Sequence, residues 1–336
     1  MKILHLSLAH GGGIVSAMNT YIDNSPHCEH FLMSDSSNGF SVDATKRFSQ
    51  VFEVSFSIVG IFAMLKLYRS LRPDYIHLHS SFSGVLGRLI FWNAKLVYTP
   101  HCYAFERQDV SKVKRFLFKI VESIATLKRC TLAACSPREL ALGNSICLLK
   151  SSSENSELLI NYSQPVNHVW QGYPAEQVVV MVGRLCPQKG PGFFLDTCEL
   201  IKLRSLQKVK FIWIGSGDDA WVEKLEGEGV EVTGWLSGDA LIEKIASASI
   251  YFHSASWEGC PMSILEAAQI GIPIIARNIP SLESIGLDAL GYSPSNCADL
   301  IINSLRDKET LKEQRDNIND LCSKRNQTQA LKRVYR

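Results

Sequence analysis

WEGCPMSILEAAQIG, residues Trp257–Gly271, carries two carboxylates eight residues apart, Glu258 and Glu266, around a glycine turn and the start of a helix. The preceding run SASIYFHSAS has the look of a buried strand leaving a helix. Gly259 then loosens the backbone where Pro261 can occupy a first helical turn. A helix is therefore expected to begin near Pro261. The first amides of such a helix lack intrahelical acceptors, so Cys260 and Met262 can aim donors, with the positive dipole end, at an oxygen-rich ligand. Glu258 before the helix and Glu266 in its second turn would accept hydrogen bonds from vicinal hydroxyls far better than they would contact a phosphate. A sugar nucleotide offers both kinds of hydroxyl, on its ribose and on its sugar. For an isolated E-x7-E, a helix cap plus a solvated face explains the same residues, so the rest of the chain has to decide.

At 336 residues and 46% hydrophobic content the chain can bury two ordinary cores. Residues 1–172 carry a formal charge of +5 and residues 173–336 of −3. That asymmetry suits an N-terminal half near anionic lipid or an acidic acceptor, and it is too small to imply nucleic acid. The ten cysteines form no C-x-x-C pair and have no zinc-like histidine spacing, so no structural metal is expected. They read as small buried side chains of a reducing, cytoplasmic compartment. MKILHLSLAHGGG resembles an export signal only superficially, because His5 interrupts a short apolar run. The uncharged, apolar run Val54 to Leu65 falls short of the roughly twenty residues that span a bilayer.

Taken in order, Lys2–Leu8 reads as a strand, His10-Gly11-Gly12-Gly13 as a glycine loop and IVSAMNTYI as a helix, the opening of a doubly wound α/β domain. Gly12 and Gly13 let backbone approach a ligand closely, although a simple tight turn explains them equally well. Further strands are expected at His30–Ser34, Val51–Ser55, Tyr75–Ser80 and Lys95–Thr99, with helices at Gly60–Leu71 and Phe82–Trp92. Thr99-Pro100-His101 lies just past a strand's carboxyl end, where open α/β sheets place ligands, which makes His101 a site candidate. His77 and His79 are either functional or satisfied residues of a buried strand. Ser111–Arg129 combines Lys112, Lys114, Arg115, Lys119, Lys128 and Arg129 with an apolar stripe of Val113, Phe116, Leu117, Ile120 and Ile124. Such a helix can lie on an anionic bilayer, but a core face plus a solvated face is the commoner arrangement. Leu132–Ser136 is expected to close the first sheet, and the looser stretch Lys150–Gln177 to hold the linker.

A second β/α series follows, with strands at Val178–Val182, Lys210–Ile214, Val230–Thr233, Ile250–His253 and Ile272–Ala276, a helix from Asp239, and one last helix from Asp299 to Lys324. The domains are expected at 1–168 and 176–322, with 323–336 returning to the first. Two such domains face to face would leave a cleft between their strand ends.

Gly183-Arg184-Leu185 with Lys189-Gly190, Gly215-Ser216-Gly217, Thr233-Gly234-Trp235, Glu258-Gly259-Cys260-Pro261, Leu265-Glu266-Ala267 and Gly271-Ile272-Pro273 together resemble the retaining GT-B glycosyltransferases of family 4. In the first half the glycine loop, Pro73-Asp74, His77, His79, and Thr99-Pro100-His101 with Tyr103 and Phe105 are similar to the surface-polysaccharide branch, of O-antigen or capsule type. The resemblance implies two Rossmann-like domains across a cleft, the first binding the acceptor and the second a UDP- or GDP-linked sugar as substrate. It implies that Arg184 and Lys189 hold the donor diphosphate, Glu266 the ribose, Glu258 the donor-sugar hydroxyls, and His101 the sugar at the reacting centre. Gly12, Gly13, Gly183, Gly215, Gly259, Cys260 and Met262 complete the donor surface. The product would be a hexosyl or N-acetylhexosaminyl group on a lipid-linked or oligosaccharide acceptor, formed in the cytoplasm or on the inner membrane face. The sequence has no D-x-D, and no metal or cofactor is expected. Cys260 and Ile279-Pro280-Ser281-Leu282 depart from the family pattern. A nucleotide-sugar epimerase, a phosphorylase on the same frame, and a noncatalytic nucleotide- or carbohydrate-binding subunit are the alternatives.

Overall fold

The computed structural model describes residues 1–7, 12–35, 45–55, 57–148, 155–308 and 311–336. They divide into two compact units, Met1–Tyr162 with Cys322–Arg336, and Ser163–Leu321. His10 and Gly11 of the glycine loop, and the serines at 151–153, lie outside the described residues.

The first unit runs β1 (Lys2–Ser7), α1 (Gly13–Asp23), β2 (Glu29–Ser34), β3 (Gln50–Glu53), α2 (Ile58–Leu71), β4 (Tyr75–His79), α3 (Ser81–Ile90), β5 (Leu96–Thr99), α4 (Lys112–Ala125), β6 (Thr131–Ala134), α5 (Pro137–Ile146) and β7 (Ser156–Leu158). Its parallel sheet has the order β3-β2-β1-β4-β5-β6-β7, so the winding reverses between β1 and β4. Helices cover both faces of such a sheet, which is why β1 and β4 are buried almost throughout. The sheet does not end at β6 as expected. Ser156–Leu158 pairs beyond it, Leu132 opposite Ser156, and this strand was hidden because three residues, two of them polar, show no strand periodicity.

Helix α4 overturns the commoner reading of its pattern. Val113 is 69% and Phe116 63% exposed, and Leu117, Ile120, Val121 and Ile124 are exposed as well, while the one buried residue of the helix is Glu122. The sheet side of α4 is organised by charge. Arg88 on α3 donates to Glu122 at 2.6 Å, the Tyr98 hydroxyl donates to the other oxygen at 2.8 Å, and the guanidinium lies 4.5 Å above the Tyr98 ring.

The second unit runs β8 (Gln177–Val182), α6 (Pro191–Arg204), β9 (Val209–Ile214), α7 (Asp219–Gly227), β10 (Val230–Val232), α8 (Gly238–Ala246), β11 (Ile250–His253), α9 (Met262–Ile270), β12 (Ile274–Arg277), α10 (Pro280–Glu283), β13 (Leu290–Gly291), α11 (Pro294–Asp307) and α12 (Lys312–Leu321). The sheet order β10-β9-β8-β11-β12-β13 reverses between β8 and β11. Trp213, Phe194 and Phe252 fill the core, with Phe194 edge-on to Trp213 at 5.3 Å between centroids.

The single last helix expected from Asp299 to Lys324 is instead two, and a third follows it. Ser293 caps α11 by accepting from the Asn296 amide, and Pro294 supplies its first turn, so it starts five residues earlier than expected. Lys308 ends it in the left-handed region, φ 52°, and α12 begins at Lys312. The third piece, α13 (Lys324–Val334), packs in the first unit against α1 and β7. Its buried Gln327 donates to Thr20 Oγ1 and Ile160 O and accepts from Asn24.

Because Arg88 and Glu122 are each nearly sealed, at 4% and 3% side-chain exposure, Glu122→Ala leaves a buried guanidinium without its counter-charge. The expected loss is about 3–5 kcal/mol in urea unfolding followed in the first unit, with most of it recovered in the Arg88→Met/Glu122→Leu double variant. Wild-type stability of E122A would show that the pair contributes little.

Candidate active site

In the second unit three loops meet at the carboxyl ends of β8, β9 and β11, where a parallel sheet of this order exposes its strand ends to ligand. One parallel bridge and two hydrogen bonds draw them together. Leu185 bridges Gly217, the Ser256 amide donates to Gln188 O at 2.8 Å, and the Ser254 hydroxyl donates to Lys189 O at 2.8 Å. Glycine is required at this crossing: Gly215 sits at φ 140°, and a Cβ there would lie 2.1 Å from Gly183 O.

The structure brings together nine of the residues named from sequence. Gly183 and the exposed Arg184 follow β8, Lys189 ends a short 3-10 turn, and Gly215 follows β9. Glu258, Gly259 and Cys260 are buried in the loop after β11, Met262 opens α9, and Glu266 lies in its second turn. Pro261 takes the N-cap position rather than a place inside the first turn. Lys189 Nζ donates to Glu258 Oε1 at 2.6 Å, and Gln188 donates to Oε2 at 3.3 Å and to Trp257 O. The ammonium and carboxylate therefore face each other. Among the described residues, neither Arg184 nor Glu266 has a hydrogen-bond or ion-pair partner. Burial raises the Glu266 carboxyl to about 7, an effect that Lys189 partly offsets.

Behind Glu258, His253 is sealed. Its Nδ1 meets the Tyr251 hydroxyl at 3.2 Å, while Nε2 is unpartnered and 3.8 Å from Glu258 Oε1. Desolvation, then the nearby Lys189 charge, holds this imidazole well below its ordinary pKa. Arg277 at the end of β12 donates to the Ser256 hydroxyl at 2.7 Å and lies 4.5 Å over the Phe193 ring.

In the first unit Gly12, φ 56°, is the N-cap of α1 and Gly13 its first residue. His101 follows β5 in a strained turn, with φ 52° at His101 and 94° at Cys102. Glu139, in the first turn of α5, holds that turn: one carboxylate oxygen accepts from the Cys102 amide and the other from the Cys135 amide, both at 2.7 Å. His101 Nε2 meets His79 Nδ1 at 3.0 Å. His77 and His79 are fully buried and hydrogen-bonded at both nitrogens, so they are satisfied core residues in contact with the site. His5, His77 and His79 offer ring nitrogens close enough to hold a metal ion, but all six atoms already have hydrogen-bond partners.

Two parallel, doubly wound units, each with its candidate ligand residues past the carboxyl ends of its strands, are the GT-B architecture, and the chain is a glycosyltransferase of that class. Residues 176–307 match the family described as Glycosyl transferases group 1. A Klebsiella pneumoniae relative described as an uncharacterized 41.2 kDa protein in the cps region is 26% identical over 311 residues, 86% of this chain and 84% of that one. The Escherichia coli UDP-Gal:alpha-D-GlcNAc-diphosphoundecaprenol alpha-1,3-galactosyltransferase is 28% identical over 252 residues, 66% of this chain and 62% of that one. The solved structure of Anabaena HepE in complex with UDP-glucose has the same fold, with a TM-score of 0.77 at 16% identity, covering 100% of this chain and 98% of that chain.

Sequence reasoning did not single out His253, Gln188, Arg277 or Glu139. The signal for Glu139 was present, since Ser136-Pro137-Arg138-Glu139 has the spacing of a capping box. The Ser136 hydroxyl does accept from the Glu139 amide, but the carboxylate reaches back to Cys135 and across to Cys102, which no local pattern shows.

Glu266 supplies a test of this electrostatics. Its folded pKa, about 7, lies above the unfolded value of 4.5, so its contribution to stability is complete below 4.5 and is lost as pH rises through 7. The stability of wild type minus that of Glu266→Gln should therefore fall between about pH 5 and 8, at no more than about 1.4 kcal/mol per pH unit. A difference that is flat across this window would mean that the carboxyl is ionised throughout.

Proposed function

We propose that this glycosyltransferase moves a hexose or N-acetylhexosamine from a UDP- or GDP-linked donor to a lipid-linked or oligosaccharide acceptor of a bacterial surface polysaccharide, with retention at the anomeric carbon. The observation that carries the reading is the group of charges past the carboxyl ends of β8 and β11: an exposed guanidinium in the loop after β8, an ammonium paired to a carboxylate, and, in the second turn of α9, a half-buried carboxyl, the first and last without a side-chain partner among the described residues. The relatives' descriptions support the acceptor class, since one acts on a diphosphoundecaprenol-linked sugar and another lies in a cps region.

As the anomeric bond breaks, negative charge grows on the diphosphate. Arg184, Lys189 and the first amides of α9 then stabilise the transition state more than the ground state. The diphosphate competes with Glu258 for Lys189, and the carboxylate released from that pair accepts hydroxyls of the donor sugar. Glu266 accepts from the ribose diol. With two cations and a helix end supplying positive charge, the reading assigns no role to a metal ion. Glu258 serves as a hydroxyl acceptor rather than a nucleophile, so attack comes from the leaving group's own face and a diphosphate oxygen takes the acceptor proton.

The exposed face of α4 supports peripheral attachment to the inner face of the cytoplasmic membrane. Its apolar residues are flanked by exposed Lys112, Lys114 and Lys119, and Lys128 lies 5.2 Å over Trp92, itself 64% exposed at the end of α3. No helix of the described residues is long and apolar enough to cross a membrane.

Arg184→Ala and Glu266→Ala should each lower kcat/KM for sugar transfer about 100-fold or more while leaving the fold intact. Wild-type turnover in either would remove the basis of this reading. Flotation with phosphatidylglycerol-containing vesicles should recover the wild-type protein at low salt and lose most of it in Phe116→Asp. Equal flotation of the two would place the membrane contact elsewhere.

A further inference from the structure

Four histidines and a serine form one continuous hydrogen-bonded line through the first unit. The Ser25 hydroxyl lies against Tyr21 O, Ser25 Oγ meets His30 Nε2 at 3.0 Å, and His30 Nδ1 meets His5 Nε2 at 2.9 Å. His5 Nδ1 then meets His79 Nε2 at 2.8 Å, and His79 Nδ1 meets His101 Nε2 at 3.0 Å. The line crosses β2, β1 and β4 at the point where the sheet order reverses.

The direction of every hydrogen bond in it follows from one end. A carbonyl only accepts, so the Ser25 hydroxyl hydrogen belongs to Tyr21 O, and Ser25 Oγ accepts from His30 Nε2. A neutral imidazole has one ring hydrogen, so His30 Nδ1 must accept from His5 Nε2, His5 Nδ1 from His79 Nε2, and His79 Nδ1 from His101 Nε2. Among the described residues His101 Nδ1 has no hydrogen-bond partner and is not one of the sealed orphan atoms, so it is left as a bare lone pair. Burial keeps the line neutral: desolvation lowers His30 to about 4 and His101 to about 3, and holds His5 and His79 well below the ordinary range.

We propose that Ser25, His30, His5 and His79 form a tautomer relay that fixes the His101 hydrogen on Nε2 and presents Nδ1 as an acceptor for a sugar hydroxyl. The hydroxyl's identity rests on the function proposed above; the tautomer does not. These four are positioning residues, and His101 is the group that meets substrate. His77 is outside the relay although its ring stacks on His79 at 4.2 Å between centroids. It donates to Thr99 Oγ1, whose own hydrogen goes to Ala133 O, and it accepts from the Tyr335 hydroxyl.

Two-bond 1H–15N spectra of the full chain labelled with 15N-histidine test this at pH 7. In the wild type, His101, His79, His5 and His30 should each show a pyrrole-type Nε2 and a pyridine-type Nδ1; a hydrogen on His101 Nδ1 would overturn the relay. His5→Phe keeps the ring volume but takes away the acceptor for His79 Nε2. An orphaned buried donor costs more than an under-satisfied acceptor, so His79 and His101 should switch to the Nδ1–H form. His101 lies two hydrogen bonds from the substitution, and an unchanged His101 signal would overturn the proposal, as would the same switch in His77→Phe. Zinc chloride added alone should move none of these resonances, and a stoichiometric shift of His5, His77 and His79 would make the cluster a metal site instead. With any UDP-sugar the wild type consumes, His5→Phe should lower kcat about tenfold or more and leave KM within about twofold. If no nucleotide sugar is consumed at all, the proposed function fails, and the spectra still decide the relay.

Discussion

The contact between Lys189 and Glu258, at 2.6 Å, sets the form of the second unit's site. It joins the loop after β8 to the loop after β11, the two strands between which the sheet order reverses, so the charges of the site lie where backbone amides are also exposed. At 18% and 9% side-chain exposure the pair is too buried for either member to stand alone and open enough for a ligand to compete. It also governs its neighbours. Lys189 offsets part of the upward shift of Glu266 and adds to the depression of His253, so one ammonium tunes an acid on α9 and an imidazole on β11.

The first unit meets the same requirement, polar groups at buried strand ends, without formal charge. His5, His77 and His79 are sealed between β1, β4 and the surrounding layers, and each finds two hydrogen-bond partners. The C-terminal residues take part: the Tyr335 hydroxyl donates to His77, and Gln327 joins α1 to Ile160 O. Buried charge in this unit sits in the Arg88–Glu122 pair between α3 and α4 and in Glu139, whose carboxylate bonds the backbone of the His101 turn rather than an imidazole.

Much of the fold could be read from sequence because parallel strands buried on both faces appear as short apolar runs ending in glycine or charge. Gln177–Val182, before Gly183-Arg184, and Val209–Ile214, before Gly215, are of that kind. The elements that escaped were those whose formation depends on neighbours. Ser156–Leu158 and Leu290–Gly291 are too short to carry a period, and the break at Lys308 depends on a left-handed residue that composition does not mark. The apolar stripe of α4 was visible, but which way it faces was not, because its buried side is set by a single carboxylate, Glu122, bonded to residues on α3 and β5. In the site, the glycines and charged residues after β8, β9 and β11 could be named individually, whereas the pairing of Lys189 with Glu258 could not. Nor could the histidine line, whose members are 25 and 74 residues apart in sequence at its first two links.

The difference between the two units has a chemical consequence. A carboxylate behind His101 would stabilise the imidazolium and raise its pKa, as paired acids do. An imidazole behind it orients the ring as firmly and adds no charge, which agrees with His101 lying near 3 under desolvation alone. The strained backbone at His101 and Cys102, held by Glu139 through amide hydrogens, then fixes where the ring stands without placing a carboxylate against it. A neutral, oriented acceptor suits a hydroxyl whose hydrogen must be held rather than removed, while the groups proposed to answer a developing negative charge, Arg184 and Lys189, belong to the other unit.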